Sequence, residues 1–246
     1  MIKIGVLGAK GRMGSQTCAT IEDAADLELA AQVDVGDPLA ALAACDVAVD
    51  FTSPGAVMEN LRWCVQQRIA AVVGTSGFSR ARLDQVRDLL GEPPESRVLV
   101  VPNFSVGAVL MMRFARQAAP FFESAEVIEM HHAGKADAPS GTAGRTAALI
   151  EEARAAAGLS ASPDATVEGA DGARGAVLGG VHVHSVRLTG LVAHQEVLLG
   201  GPGEVLTIRH DSMDRGSFMP GMLRAVRGIA GLPPGLTVGL ESLLGL

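Results

Sequence analysis

A glycine-rich turn near the N-terminus, between a β-rich run and a helical pattern, constrains the fold of this chain more than any other segment. Ile2–Leu7 has the composition of a short strand, the turn covers Gly8–Gly14, and a helical pattern follows to about Glu22. An apolar run, Leu27–Val33, comes next and closes on Asp34. This order of strand, turn, helix and strand is typical of a doubly wound parallel sheet, so we predict an α/β fold.

The three glycines of the turn have the spacing GxxGxxG, and each has a physical role in a dinucleotide-binding fold. Gly8 permits a tight turn, Gly11 lets the backbone approach a pyrophosphate, and Gly14 lets the helix pack closely on the strand. Asp34 is placed to accept hydrogen bonds from an adenine ribose. The segment predicts a nucleotide site, and a structural turn in another kind of α/β protein is the alternative.

Two cations in the same turn leave the choice of nucleotide open. Lys10 and Arg12 lie where phosphate groups would bind, and both are able to accept a 2′-phosphate beside Asp34. The other interpretation is that they are solvated loop residues. The cofactor is therefore expected to be NADH or NADPH.

Further alternation of strands and helices follows in the first half of the chain. Val47–Phe51, Ala70–Val73 and Val98–Val101 are predicted strands, and a helix is predicted to start at Thr52-Ser53-Pro54. Ligands bind at the carboxyl ends of parallel strands. The segments after the later strands, Gly74–Ser76 and Val101–Phe104, are therefore candidate walls of a nicotinamide pocket or else ordinary turns.

The densest group of chemically active residues lies in the middle of the chain. A predicted strand runs into His131 and His132, with Lys135 in the loop beyond, and Ser140 is a plausible N-cap for a helix over 141–157. The N–H groups of Gly141 and Thr142 and the Thr142 hydroxyl would then be able to hold a carboxylate. An imidazole and an amine beside such an anion site are suited to protonating a bound acidic metabolite.

Two other interpretations of this motif remain open. A histidine pair beside a lysine is often an ordinary surface feature, and Ser-Gly-Thr is often only a helix cap. Zinc is the competing ligand, but no third His, Cys or acid follows at a spacing typical of zinc sites, so no metal is predicted.

The second half of the chain has a different pattern from the first. A long Gly-, Ala-, Asp- and Pro-rich segment, Leu159–Gly180, is predicted to be a loop or lid. Clustered strands then suggest a second, mixed sheet, and a helix through about Ile229 is expected to return to the first domain. The predicted strands are 181–188, 194–199 and 204–210. His182 and His184 share one strand face, which is compatible with a metal site or with a subunit interface.

Charge, hydropathy and cysteine content exclude several classes of function. The net charge of −7 disfavours a nucleic-acid binder, which needs a basic surface. No apolar run approaches the ~20 residues that span a bilayer, so no membrane association is expected. The three cysteines are widely spaced and form no CxxC pair. A cytoplasmic location is expected from this cysteine usage.

The chain resembles the dihydrodipicolinate reductase family over essentially its whole length. The segment Glu129–Ala143 is highly specific to the family, whereas the glycine-rich turn Gly8–Gly14 is not. The motifs that carry the resemblance are Gly8–Gly14, Asp50-Phe51-Thr52, Gly74-Thr75, Pro102-Asn103-Phe104-Ser105 and Glu129–Ala143.

The resemblance implies a role for each site residue. His131 and Lys135 would be the catalytic proton donors, while His132, Gly141 and Thr142 would bind a cyclic dicarboxylate. The implied cofactor contacts are Gly8, Ala9, Lys10, Gly11, Arg12, Met13, Asp34, Gly74, Thr75, Ser76, Val101, Pro102, Asn103 and Phe104. Ser76 replaces a threonine common in the family, and Val101 replaces the usual alanine.

The resemblance also implies an architecture and a reaction. A Rossmann-like dinucleotide-binding domain would comprise residues 1–105 and 216–246, and an α+β domain for substrate binding and oligomerisation would comprise 106–215, in a homotetramer. The implied reaction is reduction of 4-hydroxy-tetrahydrodipicolinate to tetrahydrodipicolinate, with loss of water, in diaminopimelate and lysine synthesis. An aspartate or homoserine dehydrogenase type and a non-catalytic NADH sensor are the alternatives.

Overall fold

The computed structural model describes every residue from Met1 to Leu246, and the chain divides into two compact units. The first unit consists of Met1–Val106 and Arg215–Leu246, and the second of Gly107–Asp214. Each unit is described by itself below. No helix in either unit combines the length and the apolar character needed to cross a membrane.

The first unit is built on a six-stranded sheet in which every pair of neighbours is parallel. Its strands are β1 (Ile2–Leu7), β2 (Leu27–Val33), β3 (Val47–Asp50), β4 (Ala70–Val73), β5 (Arg97–Val100) and β11 (Gly235–Val238). Their order is β11-β5-β4-β3-β1-β2. Because the chain moves outward from β1 in both directions, the sheet has a switch point between β1 and β3, where ligands bind in such sheets. The predicted α/β fold is confirmed.

The helices of this unit pack on the sheet through apolar stripes. They are α1 (Arg12–Glu22), α2 (Val57–Gln66), α3 (Arg80–Leu90) and α6 (Met219–Gly228). In α1 the buried residues are Gly14, Thr17, Cys18 and Ile21, which is the spacing of one helical face. All four residues of β3 are buried, as expected for a strand in the middle of a covered parallel sheet.

The predicted start of the second helix at Thr52 is wrong. Helix α2 begins at Val57, and residues 52–56 form a turn in which the N–H groups of Ala56 and Val57 both donate to the carbonyl oxygen of Ser53. The Asp50 carboxylate accepts the N–H of Thr52 at 2.9 Å and its hydroxyl at 2.7 Å. This side-chain competition keeps the segment out of the helix.

The second unit contains a five-stranded mixed sheet, as predicted. Its strands are β6 (Ser124–His131), β7 (Ala176–Leu178), β8 (Val181–Arg187), β9 (Ala193–Gly201) and β10 (Glu204–Ser212), in the order β10-β9-β6-β8-β7. β6 and β8 are parallel and the other pairs are antiparallel. Helix α4 (Val106–Ala118) enters this unit after its first residue, and α5 (Gly141–Ala156) packs on β6 and β8.

Strand β6 carries alternate residues into the core, and one of them is an acid. Ala125, Val127 and Glu129 are buried, while the residues between them are half-buried. Glu129 is fully buried, at 0% exposure, in a position where the alternation of the strand leads one to expect an aliphatic side chain. The partners that make this possible belong to the site described below.

The segment predicted as a long loop contains the short strand β7 and is tied to the sheet by charged groups. Arg174 pairs with Asp164 at 3.1 Å and with Glu126 of β6 at 2.5 Å. His184 binds the other oxygen of Glu126 at 2.7 Å, and His182 donates from Nδ1 to the Arg174 carbonyl oxygen at 2.7 Å. The two histidines thus have carboxylate and carbonyl partners, and no cluster of three or more ligating groups occurs.

Candidate active site

The turn after β1 has the geometry of a phosphate-binding loop. Gly8 has a φ of +76°, and a Cβ there would lie 2.7 Å from the Phe51 carbonyl oxygen. A Cβ on Gly14 would lie 2.0 Å from the Gly8 carbonyl oxygen, so helix α1 approaches β1 too closely for any side chain. Gly11 is the N-cap of α1 and supplies no side-chain hydrogen bond. The first N–H groups of the helix therefore remain available to an anion.

A groove of about 530 Å³ runs along this turn to the ends of β2 and β3. Its walls combine glycines, apolar side chains and a few polar groups. The lining residues are Leu7, Gly8, Gly11, Val33, Asp34, Val35, Gly36, Asp37, Leu39, Phe51, Thr52, Ser53, Ala56, Glu59 and Asn60. A volume of this size and a bare helix start fit the adenosine and pyrophosphate of a dinucleotide.

Asp34 stands at the end of β2, on the rim of this groove. Its carboxylate accepts the N–H of Val35 at 2.8 Å and the N–H of Lys10 at 2.7 Å, and these two hydrogen bonds lower its pKa. The side chains of Lys10 and Arg12 are exposed at the same turn. The predicted acid therefore contacts Lys10 through its N–H, and Arg12 belongs to the same glycine-rich segment.

The segments predicted to line the nicotinamide pocket converge beside Asp50. A Cβ on Gly74 would lie 2.2 Å from the Phe51 ring and 2.6 Å from the Phe104 ring, and these two rings pack at a centroid distance of 5.5 Å. The Thr75 hydroxyl donates to the Asp50 carboxylate at 2.7 Å. The ends of β3, β4 and β5 therefore form one continuous surface of the first unit.

In the second unit, a single buried carboxylate organises the histidine motif. Glu129 Oε2 accepts from His131 Nδ1 at 2.5 Å and from Arg187 Nη1 at 2.8 Å. Its Oε1 accepts from Arg187 Nη2 at 2.8 Å and from the N–H of Ser140 at 3.1 Å. Burial alone would raise the pKa of Glu129, but hydrogen bonds from Arg187, Ser185 and His131 outweigh burial and lower it to about 2.

His131 is the last residue of β6 and faces the same side of the sheet as Glu129. Its side chain is only 14% exposed. Burial lowers the pKa of His131, and the positive charges of Lys135 and Arg187 lower it further, whereas the hydrogen bond to Glu129 opposes them. The ring is therefore mainly neutral at pH 7, with Nδ1–H bound to Glu129 and Nε2 available for proton transfer.

Lys135 lies in the loop after β6, held in a turn in which its N–H donates to the His132 carbonyl oxygen at 3.1 Å. Its ammonium group donates to Asp137 at 2.7 Å and is 22% exposed. His132 is exposed and lies outside the hydrogen-bond network of Glu129. β6 ends at His131, so the two histidines are not forced onto opposite faces of a strand. This is the condition under which both rings are able to face one ligand.

Helix α5 begins as the sequence predicts. The Ser140 hydroxyl accepts the N–H of Ala143 at 3.2 Å, which makes Ser140 the N-cap. A Cβ on Gly141 would meet no atom within 4 Å, so the helix start opens into free space. Thr142 is half-buried in the same first turn. This end of α5 presents backbone N–H groups toward which a carboxylate is attracted.

Three residues of the site were not predicted from the sequence. From the sequence, Glu129 is only the first residue of the histidine motif, and Arg187 is only a position on a predicted strand. Asp50 is only part of a family motif. The available signal for Glu129 was its place in the row of Ala125 and Val127, where a buried acid requires a cationic partner.

Taken together, these features define a class of protein. A parallel sheet with a dinucleotide groove, and a separate mixed sheet with a buried histidine next to an open helix start, are the components of a two-domain nicotinamide-dependent oxidoreductase. Two family models match the chain and narrow this class to one family. The model described as "Dihydrodipicolinate reductase, N-terminus" matches residues 2–104, and "Dihydrodipicolinate reductase, C-terminus" matches residues 107–244.

Curated relatives agree with the family models. A 4-hydroxy-tetrahydrodipicolinate reductase of Cutibacterium acnes is 60% identical over 246 residues, which is 100% of both chains. The enzyme of the same name from Nocardia farcinica is 61% identical over 100% of this chain and 99% of its own. The chain therefore belongs to the dihydrodipicolinate reductase family, and it is an oxidoreductase with a nicotinamide cofactor.

Solved structures support the fold over its full length. A dipicolinate-bound dihydrodipicolinate reductase from Paenisporosarcina sp. TG-14 has a TM-score of 0.86 and 37% identity, over 98% of this chain and 99% of that one. An aspartate dehydrogenase from Thermotoga maritima is similar with a TM-score of 0.50 and 11% identity, covering 93% of this chain and 96% of its own. At that identity the likeness extends to the fold alone.

Proposed function

We propose that this chain reduces 4-hydroxy-tetrahydrodipicolinate to tetrahydrodipicolinate, with NADH or NADPH as the hydride donor, in diaminopimelate and lysine synthesis. The observation that carries the proposal is the arrangement of His131, Lys135 and the open start of α5 around the buried Glu129. This is the acid and anion chemistry that a cyclic dicarboxylate requires. High identity to the named relatives over the whole chain gives it a specific substrate.

The stoichiometry of the reaction defines what the protein must provide. One hydride and one proton enter the substrate, one water leaves, and the cofactor is oxidised. The bound nicotinamide supplies the hydride from its C4 atom. The chain supplies the proton and assists the loss of the ring hydroxyl as water. An acid must therefore lie beside the substrate.

His131 and Lys135 are the proposed proton donors. His131 Nε2 is the ring nitrogen not bound to Glu129, and the Lys135 ammonium lies in the adjoining loop with Asp137 as its acceptor. Because the ring is mainly neutral at pH 7, Nε2 must first take up a proton. The resulting imidazolium, with a pKa lowered from 6.5, gives up that proton more readily than a free imidazolium. The ammonium is suited to replacing that proton or to neutralising a substrate carboxylate.

The dicarboxylate would be oriented by the first turn of α5. The N–H groups of Gly141 and Thr142 would hold one carboxylate, with the Thr142 hydroxyl and His132 as further donors. The net charge of −7 repels a dianion at long range, so these local groups must supply the attraction. Holding the ring in one orientation contributes to lowering the barrier as well as to binding.

For the cofactor, we propose that the chain accepts both NADH and NADPH. The Asp34 carboxylate favours the two ribose hydroxyls of NADH. Val35 follows this acid, is exposed, and adds no cation for a 2′-phosphate, whereas Lys10 and Arg12 supply such cations nearby. The further proposed contacts are Ala9 and Met13 in the turn, Gly74–Ser76, and Val101–Phe104.

The proposed assembly is a homotetramer formed through the mixed sheet, in the cytoplasm. Val205 and Leu206 of β10 are 69% and 39% exposed, so this edge strand has apolar surface on both faces. All three cysteines are buried and unpaired, which suits a reducing compartment. The unit Gly107–Asp214 would then provide both substrate binding and oligomerisation, and the other unit would bind the dinucleotide.

Oxidation of NADH and of NADPH by the purified protein tests the proposal. The unstable substrate would be produced in place from pyruvate and aspartate semialdehyde by the upstream synthase. Rapid, substrate-dependent loss of reduced cofactor is expected, and the two rates give the cofactor preference. Absence of turnover with both cofactors, despite confirmed binding of cofactor and substrate, would point to a sensor or to another acidic substrate.

A further inference from the structure

Glu129 is a carboxylate inside the core of the second unit, on the same strand as His131 and two residues before it. Its side chain is 0% exposed and continues the buried row of Ala125 and Val127 on β6. An isolated buried carboxylate would be strongly destabilising. Such a residue persists only where other groups compensate its charge and where that arrangement has a use.

Hydrogen bonds to both oxygens of Glu129 compensate the burial of its charge. Its two oxygens accept two hydrogen bonds from Arg187, one from His131 and one from the Ser140 N–H, and the Ser185 side chain adds another. The Arg187 pair is bidentate, with both distances at 2.8 Å. A carboxylate bound in this way has no freedom to rotate.

The terminal N–H groups of Arg187 are fully used within the protein. Nη1 donates to Glu129 and to the Val186 carbonyl oxygen, and Nη2 donates to Glu129 and to the Asp137 carbonyl oxygen at 2.6 Å. Arg187 therefore has no terminal donor left for a substrate carboxylate. Its function is to hold Glu129 and the backbone of the Lys135 loop at Asp137.

The strand register explains why this arginine is present. β6 and β8 are parallel, and His131 is paired in register with Arg187, while Glu129 is paired with Ser185. The ends of the two strands thus deliver the acid, the base and the arginine to one point of the sheet. Ser140 joins them from the start of α5.

We infer that Glu129, held by Arg187, is a positioning residue that sets the tautomer and direction of the His131 ring and anchors the first turn of α5. This inference rests on the proposed catalytic role of His131. With Nδ1–H donated to Glu129, the neutral ring carries its lone pair at Nε2, and the imidazolium formed on protonation is stabilised by the carboxylate. The same carboxylate fixes Ser140, so the proton donor and the anion site share one support.

The tautomer is measurable in the wild-type protein without any turnover. Nitrogen-15 NMR of the labelled histidine side chains at pH 8 is expected to show His131 as the Nδ1–H form, with the signal assigned by its loss in His131→Asn. A proton on Nε2, or a mixture of both forms, would overturn the inference. Since no substrate is needed, this result is independent of whether the proposed reaction is correct.

Kinetics of Glu129→Gln then test the effect on the reaction. At pH 7 we expect kcat to fall by roughly 10- to 100-fold, with the cofactor KM changed by less than about twofold. The charged groups facing the ring are Glu129, Arg187, Lys135 and, through Lys135, Asp137. Loss of the only anion in direct contact lowers the His131 pKa, so the midpoint of the pH profile moves to lower pH.

Glu126→Gln is the matched control. Glu126 lies on the same strand and binds an arginine and a histidine, Arg174 and His184, but it lies outside the proposed site. The kcat of this variant should stay within about twofold of wild type. The midpoint of its pH profile should be the same as that of wild type within error. Equal effects of the two glutamine variants would contradict a specific role of Glu129.

Two further variants protect the test against misfolding and indirect effects. Arg187→Lys keeps the charge but loses the bidentate fork, and it should produce a mixture of His131 tautomers and a lower kcat. In a His131→Asn background, Glu129→Gln should lower kcat no further, because its effect on proton transfer passes through the missing ring. Its effect on the first turn of α5 should appear in the substrate KM. A full additional loss in the double variant, at unchanged substrate KM, would overturn the inference.

Discussion

At the scale of single residues, the chemistry depends on the environment that each side chain meets. His131 and His132 are neighbours in the sequence, yet His131 is held against a buried carboxylate and His132 is exposed. The hydrogen bond to Glu129 gives His131 a defined tautomer, and burial lowers its pKa. This difference supports the proposed proton transfer by His131 and the proposed substrate-binding role of His132.

A residue-scale prediction concerns the proposed acids. His131→Gln and Lys135→Ala should each reduce kcat by roughly 10²-fold or more, because each removes a proton donor used in the transition state. NADH binding, measured by fluorescence titration, should remain nearly unchanged, since the dinucleotide groove lies in the other unit. A variant with near-normal turnover would exclude that residue as the acid.

A second prediction at this scale concerns the anion site. Thr142→Val keeps the shape of the side chain and removes its hydroxyl, so it should raise the substrate KM by about tenfold with a smaller effect on kcat. Steady-state kinetics at fixed cofactor concentration provide the measurement. An unchanged KM would show that the Thr142 hydroxyl does not contact the substrate.

At the scale of elements, a second buried acid connects the ends of two strands. Asp50, at the end of β3, is 2% exposed and accepts from Thr52, from Asn60 of α2 at 2.8 Å and from Thr75 after β4 at 2.7 Å. It thereby fixes Thr75 in the proposed cofactor loop. It also explains why the predicted helix start at Thr52 is displaced to Val57.

Replacement of this acid should affect the cofactor rather than the substrate. In Asp50→Asn, an amide N–H₂ group replaces one of the oxygens that accept from Thr52, Asn60 and Thr75. Thr75 then loses its support, so we expect the NADH Kd to rise by about tenfold. Asp46→Asn is the control, because Asp46 precedes the opposite end of β3 and accepts only from the exposed N–H of Lys3. Similar Kd values for both variants would argue that Asp50 does not support the cofactor loop.

At the scale of the whole molecule, the carboxylates determine the response to acid. Glu126, Glu129, Asp137 and Asp211 all have a pKa lowered in the folded state by arginine, lysine or histidine partners. A lowered folded pKa means that the unfolded chain binds more protons as pH falls. These groups therefore stabilise the fold above their unfolded pKa values, and that contribution is lost below them.

The melting temperature should consequently decrease as pH falls from about 5 towards 2, the interval between the ordinary pKa of a glutamate and the value of about 2 for Glu129. Thermal unfolding followed by circular dichroism across this interval provides the measurement. Glu129→Gln should reduce the steepness of the decrease, since one of the contributing groups is gone. A melting temperature independent of pH over this range would contradict the assignment.

Much of the fold follows from the sequence because its signals are local. Alternation of apolar runs with helical patterns predicts the parallel sheet, and the positions of Gly8 and Gly14 are required by close backbone contacts. The strand β11, Gly235–Val238, and the three-residue β7 were not predicted. They are too short to show a periodic pattern, and only pairing with β5 and β8 stabilises them.

The sequence by itself determined the α/β fold, the dinucleotide turn, the cap of α5 at Ser140 and the presence of chemically active groups between His131 and Thr142. Each of these depends on residues close together in the chain. Only the tertiary structure decided which groups act together. Arg187 is 58 residues from Glu129, and it reaches the acid because β6 and β8 lie parallel and in register. Register of this kind results from packing of the whole sheet, which no local pattern encodes.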